Sequence, residues 1–209
     1  MKNLTIIQHP LIQRDLSVLR EKKTPHHIFR DTLHRISGMM AFEVTKKFSV
    51  KKFSLTTPLE KTTGFQLEKE IVLIPILRAG LGMVDGFLHN VPEARVGHIG
   101  LYRNEKTLEP VEYYSRFPKE LSKSTVILID PMLATGGSAV AAIDFLQQKG
   151  AKDITMVCLV AAPEGVKTLS RNHPKIKIFT ASLDRKLNHK GYILPGLGDA
   201  GDRVFGTEL

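Results

Sequence analysis

The chain has a single cysteine, no tryptophan and only 7% aromatic residues, and nowhere does it carry the ~20 uninterrupted apolar residues that cross a bilayer. One cysteine excludes an internal disulfide, and Cys158 sits in the apolar run Ile154–Val160, where a buried strand residue is expected rather than a nucleophile. The start, Met1-Lys-Asn-Leu-Thr-Ile-Ile-Gln-His9, has no secretory h-region, so a cytoplasmic protein is expected and the Asn3-Leu4-Thr5 sequon has no role. Acidic residues are outnumbered, 21 Asp and Glu against 30 Lys and Arg, for a net charge of +9. The excess is concentrated in residues 1–70, which hold 13 basic against 7 acidic side chains. No aromatic stacking motif accompanies it, which weakens a nucleic-acid reading. Repeats, low-complexity tracts and linkers are absent too. With 209 residues and 42% hydrophobic content, one α/β domain over 1–209 is expected.

What the chain does contain is concentrated in Val126-Ile-Leu-Ile-Asp130-Pro131-Met132-Leu133-Ala134-Thr135-Gly136-Gly137-Ser138 and the apolar-periodic residues after it. Four β-formers, an acid, a glycine turn between hydroxyls and a helical pattern read as strand, loop and helix. Such a loop presents free N–H groups and the positive end of a helix dipole to an anion, and glycine allows close approach. Thr135 and Ser138 add hydroxyls, and Asp130 stands at the strand end, where open α/β sheets place ligands. A phosphorylated sugar fits this layout. No lysine follows either glycine, so it is not a triphosphate loop, and the turn lacks the G-x-G-x-x-G of a dinucleotide site.

Elsewhere, a strand is expected at Leu4–Ile7 and an amphipathic segment at Leu11–Leu19. Thr24 as N-cap and Pro25 at the first position would start a helix whose core face is Phe29, Leu33, Ile36, Met40 and Val44. His26, His27 and His34 lie near it without acids or cysteines at ligand spacing, so no metal site is expected. Ile71–Leu77 is uniformly apolar, as in a strand covered on both faces, and ends in Arg78-Ala-Gly-Leu-Gly82 before a helix at Met83–His89. Arg78 is placed either to bind phosphate oxygens or to cap the surface. A strand at Val96–Tyr102 precedes a polar stretch, 103–118, that reads as a flap or hairpin. Further strands at Ile154–Val160 and Ile176–Thr180 flank a helix at Pro163–Ser170, and together these units specify a mostly parallel, doubly wound sheet.

The tail holds a literal G-x-G-x-x-G at Gly196, Gly198 and Gly201, but only eight residues follow, too few for a dinucleotide-binding βαβ unit. Its glycines instead leave the backbone around Asp199 and Ala200 open to a flat polar ring. Tyr192, Ile193, Leu194 and Phe205 anchor it against disorder.

Four stretches, Ile76–Gly82, Gly100–Glu105, Asp130–Ser138 and Gly191–Phe205, in this order and spacing, resemble the uracil phosphoribosyltransferase family of type I phosphoribosyltransferases. The match is loose over the first 70 residues. One position departs from phosphoribosyltransferases in general: the strand-end acid pair is Asp130 followed by Pro131, a wording expected in the uracil branch. The resemblance implies a fold of phosphoribosyltransferase type with an N-terminal helical arm (about 1–45), a flap (about 103–118) and a C-terminal base-binding hood (about 181–209). It implies transfer of the phosphoribosyl group of 5-phosphoribosyl 1-diphosphate (PRPP) to N1 of uracil, giving UMP and diphosphate. Asp130 to Ser138, that is Asp130, Pro131, Met132, Leu133, Ala134, Thr135, Gly136, Gly137 and Ser138, would bind PRPP together with Arg78, Arg103 and Asp199. Ile193, Gly198, Asp199 and Ala200 would hold uracil. Arg78, Arg103 and Asp199 would be catalytic, Asp199 as candidate general base. Mg2+ would be shared by substrate oxygens, with no protein metal site. A homo-oligomer and GTP as an activator are also implied. Two other readings stay open: an RNA-binding regulator of pyrimidine genes on the same fold, suggested by the charge, and a purine-type phosphoribosyltransferase, disfavoured by Asp130-Pro131 and the glycine-rich tail.

Overall fold

The computed structural model describes residues 3–103 and 110–207. β1 (Leu4–Ile6) leads through α1 (Pro10–Arg20) and α2 (His26–Thr45) to a hairpin of β2 (Val50–Thr56) and β3 (Lys61–Leu67). β4 (Ile71–Leu77), α3 (Leu81–Asn90), β5 (Arg95–Val96), β6 (His98–Arg103) and β7 (Pro110–Arg116) follow. The second half runs β8 (Thr125–Ile129), β9 (Met132–Leu133), α4 (Gly137–Gln148), β10 (Asp153–Ala161), α5 (Pro163–Asn172) and β11 (Lys177–Leu183). It closes with β12 (Lys186–Leu187), β13 (Ile193–Leu194) and α6 (Ala200–Phe205).

The main sheet has the order β1-β11-β10-β8-β4-β6-β7, every neighbouring pair parallel except β6 with β7. Its central strands are apolar because both faces are covered. Along β4, Ile71 and Leu73 face α1, α2 and α3, while Val72, Ile74 and Ile76 face α4 and α5. β8 alternates likewise, with Ile127 and Ile129 on the first side and Val126 and Leu128 on the second. Cys158 is fully buried in β10, and its low-dielectric surroundings push the thiol up to about 12, far from a thiolate.

The five residues expected to form the core face of α2 are all 3% exposed or less. The start of that helix differs by one residue: Pro25 is the N-cap, and Thr24 donates its hydroxyl to the Val18 carbonyl at 2.7 Å instead of capping. Tertiary hydrogen bonding to α1 took the hydroxyl that local pattern assigns to the cap. The β2–β3 hairpin carried no legible signal, since Val50, Phe53 and Phe65 stay 40% or more exposed and its turn has no glycine. Thr57 shapes that turn by accepting the N–H groups of Leu59 and Glu60.

α2 and α3 pack through glycines. A Cβ on Gly86 would lie 2.2 Å from the His34 carbonyl oxygen and 2.8 Å from the Gly38 nitrogen. Gly86 is mid-helix, where alanine is intrinsically favoured by roughly 1 kcal/mol. The steric clash outweighs that gain, so Gly86→Ala is expected to destabilise by about 1–3 kcal/mol in urea unfolding; equal or higher stability would show that the two helices separate freely.

Candidate active site

β4 and β8 are neighbours, yet the chain leaves β4 through α3 toward β6 and leaves β8 through α4 toward β10. The strand order therefore reverses between them, and a crevice opens beyond their carboxyl ends. Arg78 and Asp130 are the first residues beyond these two strands.

After β4, the Leu77–Arg78 peptide is cis. Gly80 lets the turn fold back against β8: a Cβ there would stand 2.6 Å from the Ile129 carbonyl oxygen. The Arg78 side chain is 57% exposed and donates from Nη2 to Asp202 Oδ1 at 3.1 Å. Its guanidinium is thus oriented by α6 while still open to solvent.

After β8, Pro131 is buried, and its carbonyl accepts the N–H groups of Leu159 and Val160 at 3.0 and 3.1 Å, which locks the turn to β10. Asp130 is half-buried. Loss of solvation pushes its carboxyl up to about 7; the Met132 N–H, 3.4 Å from Oδ1, opposes this and the negative charge of Asp199 adds to it. Gly136 takes φ of 87°, and the loop rests on Gly165 of α5, where a Cβ would come within 2.3 Å of the Ala134 oxygen. The N-cap of α4, Gly136, has no side chain to cap it, and the first turn opens at Gly137 with Ser138 exposed beside it. Thr135 Oγ1 accepts the Gly137 N–H at 3.5 Å. N–H groups at a helix start, behind a glycine loop, can cradle an anion.

The third contributor is the C-terminal segment. Asn188 Oδ1 accepts the N–H groups of Lys190 and Tyr192, both at 2.9 Å, shaping the turn between β12 and β13. Gly191 in that turn lies against the Thr135 methyl group, 3.8 Å from a built Cβ. Beyond β13, Gly196 and Gly198 adopt φ of 64° and 73°, and Asp199 caps α6 by accepting the Asp202 N–H at 3.0 Å. A Cβ built on Gly201, at the start of α6, would meet the Ala79 Cβ at 3.8 Å, and Asp202 bonds Arg78 itself, so the tail also reaches the Arg78 turn.

Three segments distant in sequence therefore surround one crevice. Of the residues singled out from sequence, Arg78, Asp130–Ser138 and Gly198–Ala200 come together there. Ile193 and Ala200 are buried, so around them the tail offers backbone rather than side chain. The Arg103 side chain and residues 104–109 of the expected flap lie outside the described residues. Among the rest of that stretch, β7 pairs antiparallel with β6, and Tyr113 stacks near Tyr102 with ring centroids 6.3 Å apart. Four residues that sequence reasoning missed support the site: Asp202 holds Arg78, Arg203 holds the tail, and Arg20 pairs with Asp184. Arg20 and Asp184 stand in no motif, and Asp202 and Arg203 lie in the Gly191–Phe205 stretch with no role assigned from sequence; their partners lie more than 100 residues away or on carbonyls. A separate cleft of about 770 Å³, lined in part by His9, Arg35 and Phe42, contains no residue of these three segments.

The family model for uracil phosphoribosyltransferase matches residues 6–207. A relative from Salinibacter ruber that carries that name is 52% identical over 207 residues, 99% of each chain. A solved structure of a protein from Aquifex aeolicus is similar with a TM-score of 0.93 at 38% identity, over 99% of both chains. Adenine phosphoribosyltransferase from Trypanosoma brucei, 12% identical with a TM-score of 0.60 over 86% of this chain and 83% of its own, shares the fold alone.

The raised Asp130 carboxyl has a consequence for stability. Between its unfolded value near 3.8 and its folded value of about 7, the folded protein holds a proton that the unfolded chain has released. The contribution is therefore lost as pH rises through that window. Urea melts at pH 5, 6, 7 and 8 are expected to show a steeper decline for the wild type than for Asp130→Asn; parallel pH profiles would refute it.

Proposed function

The chain belongs to the uracil phosphoribosyltransferase family, and from that membership we infer that it transfers the 5-phosphoribosyl group of PRPP to N1 of uracil, releasing diphosphate and forming UMP in pyrimidine salvage. One juxtaposition in the structure supports the reading above others: the glycine-rich tail runs beside the Thr135 loop at Gly191 and is joined to Arg78 through Asp202. A flat ring held by the tail would then lie within reach of a sugar whose phosphate sits in the cradle. The RNA-binding alternative finds no support, because the family match and the full-length relative both carry the enzyme's name.

In this reading the 5-phosphate occupies Ala134–Ser138 and the N-terminus of α4, and Asp130 accepts the ribose hydroxyls. In the reaction the bond from C1 to the diphosphate oxygen breaks with its electron pair leaving on diphosphate. A bond from uracil N1 to C1 forms, and the N1 proton departs. Arg78, with Arg103, stabilises the negative charge gathering on the leaving group, the largest contribution available to a side chain here. Asp199, whose Oδ1 caps α6, would take the N1 proton on its other oxygen.

The residues fit Mg2+ brought in on substrate oxygens. No group of three or more His, Cys, Asp or Glu among the described residues could hold a metal by itself. Asp130 is destabilised as an anion by burial and by Asp199, a pair that a nearby cation would relieve. When bound, Mg2+ supplies charge neutralisation to the diphosphate.

The 1–45 arm, the 103–118 flap and the 181–209 hood are taken as parts of one functional domain. We also infer a cytoplasmic homo-oligomer, with GTP as a possible activator. No described helix is long and apolar enough to cross a membrane, and Phe42, Leu59 and Phe65 are more than 60% exposed, as a subunit contact would leave them in an isolated chain.

Incubation with uracil, PRPP and Mg2+ is expected to yield UMP and diphosphate in equal amounts, with the yield abolished by a chelator. Removing one leaving-group donor by Arg78→Ala should lower kcat/KM by about 10²–10³. Cytosine offers an amine where uracil offers the C4 carbonyl, so a backbone N–H aimed there should disfavour it by ~10⁴. Absence of UMP, or comparable turnover of cytosine, would overturn the assignment.

A further inference from the structure

Asp184 is a carboxylate only 5% exposed, at the end of β11, and it belongs to none of the motifs described above. Arg20, in the last turn of α1, grips it with a two-pronged contact: Nη2 to Oδ1 at 2.6 Å and Nη1 to Oδ2 at 2.8 Å. Ser182 donates its hydroxyl to Oδ1 at 2.7 Å. Arg20 Nη2 also donates to the Ser182 hydroxyl oxygen at 3.1 Å, and two further bonds reach one residue of the tail. The Gly196 N–H donates to Asp184 Oδ2 at 2.9 Å, and the Gly196 carbonyl accepts from Arg20 Nη1, also at 2.9 Å. Both polar groups of Gly196 are thus held by the two members of one ion pair.

The grip is reciprocated. Arg203 of α6 donates to the Leu197 carbonyl at 2.8 Å, to the Glu21 carbonyl at 2.6 Å, and to the Leu19 carbonyl, with its guanidinium 4.4 Å from the centre of the Phe29 ring. Gly196 itself has no slack: its φ is 64°, and a Cβ would fall 2.2 Å from the Ile193 oxygen. A buried ion pair is a poor source of net stability, because desolvation consumes most of its attraction. Its effect here is geometric, since a fork of two hydrogen bonds fixes direction as well as distance. Burial alone would raise the Asp184 carboxyl, and the Arg20, Ser182 and Gly196 donors hold it below the usual range, so the anion that this geometry requires is present.

We propose that Arg20 and Asp184 are positioning residues for the base: they fix Gly196 and through it set the Gly198–Ala200 backbone where it hydrogen-bonds the edge of uracil, without touching either substrate. The proposal rests on the uracil-transfer reading. It gives α1, more than 170 positions from Gly196 in the chain, a specific part in recognising the base. Apart from Asp199 and the Asp202 contact to Arg78, which are held in α6 by its own cap, the PRPP half of the site is anchored elsewhere, through Gly80 on Ile129 and Gly165 on Ala134, so disturbing the pair should affect uracil far more than PRPP.

Steady-state kinetics, varying uracil and PRPP separately, test this on the wild type, Arg20→Met, Arg20→Lys and Asp184→Asn. Loss of one charge-assisted contact should raise the uracil KM about tenfold or more in Arg20→Met and Asp184→Asn, with the PRPP KM changed less than about twofold on that basis. Arg20→Lys should recover part of the loss, because an ammonium keeps the charge but not the fork. A purely structural role would move both KM values together, and that result, or an unchanged uracil KM, overturns the proposal. Circular dichroism and the PRPP KM report folding; if Arg20→Met does not fold, Arg20→Lys and Asp184→Asn decide by the same criterion. A wild type that forms no UMP refutes the underlying activity instead, and the positioning role with it.

Discussion

The pairing of β4 with β8 is the constraint on which the rest depends. Five residues of each strand run side by side, from Ile71 opposite Thr125 to Pro75 opposite Ile129. Apolar side chains on both faces tie this pair to two separate helical layers, so neither strand can slide by one residue without exchanging its two sets of core contacts. That register sets where the two strands end. Arg78 and Asp130 stand beside one crevice because the strands beneath them cannot shift, and the helices leaving in opposite directions keep the crevice open.

On this frame, the site is built mostly from backbone. The cradle uses N–H groups at the start of α4, the tail offers peptide groups around Gly198, and close approaches at Gly80 and Gly165 let loops lie where side chains would push them apart. An anionic substrate needs such donors more than it needs a high local charge, since fixed dipoles do not have to reorganise as charge develops. The acid in the site is correspondingly costly. Asp130 sits where solvation is poor and Asp199 is near, and both push its carboxyl up.

The two ends of the chain contribute through a different kind of interaction. α1 and the tail exchange arginines, Arg20 reaching Asp184 and Gly196 while Arg203 reaches Leu19 and Glu21. Arg30 adds two bonds to the Val204 carbonyl. The tail has little regular structure of its own, with only the six residues of α6 in helix after Leu194, and a segment of this kind holds one conformation only if outside donors and acceptors satisfy its peptide groups.

Much of this protein could be read from the amino-acid sequence because the relevant signals are local. The apolar run Ile71–Leu77, the alternation of strands with amphipathic helices and the strand-turn-helix around Asp130–Ser138 each state their structure within a dozen residues, and a parallel sheet follows from burial on both faces. The β2–β3 hairpin was not legible, since it buries little and has no glycine turn, and the Thr24 cap was misassigned because α1 captured its hydroxyl. What only the tertiary structure decided is which distant groups meet: Arg78 with Asp202, Gly191 with Thr135, Arg20 with Asp184. Arginine and aspartate occur throughout a charged surface and carry no periodicity that marks a partner. Their pairing is a property of the closed fold, set by where the strands end, and not of any stretch of chain.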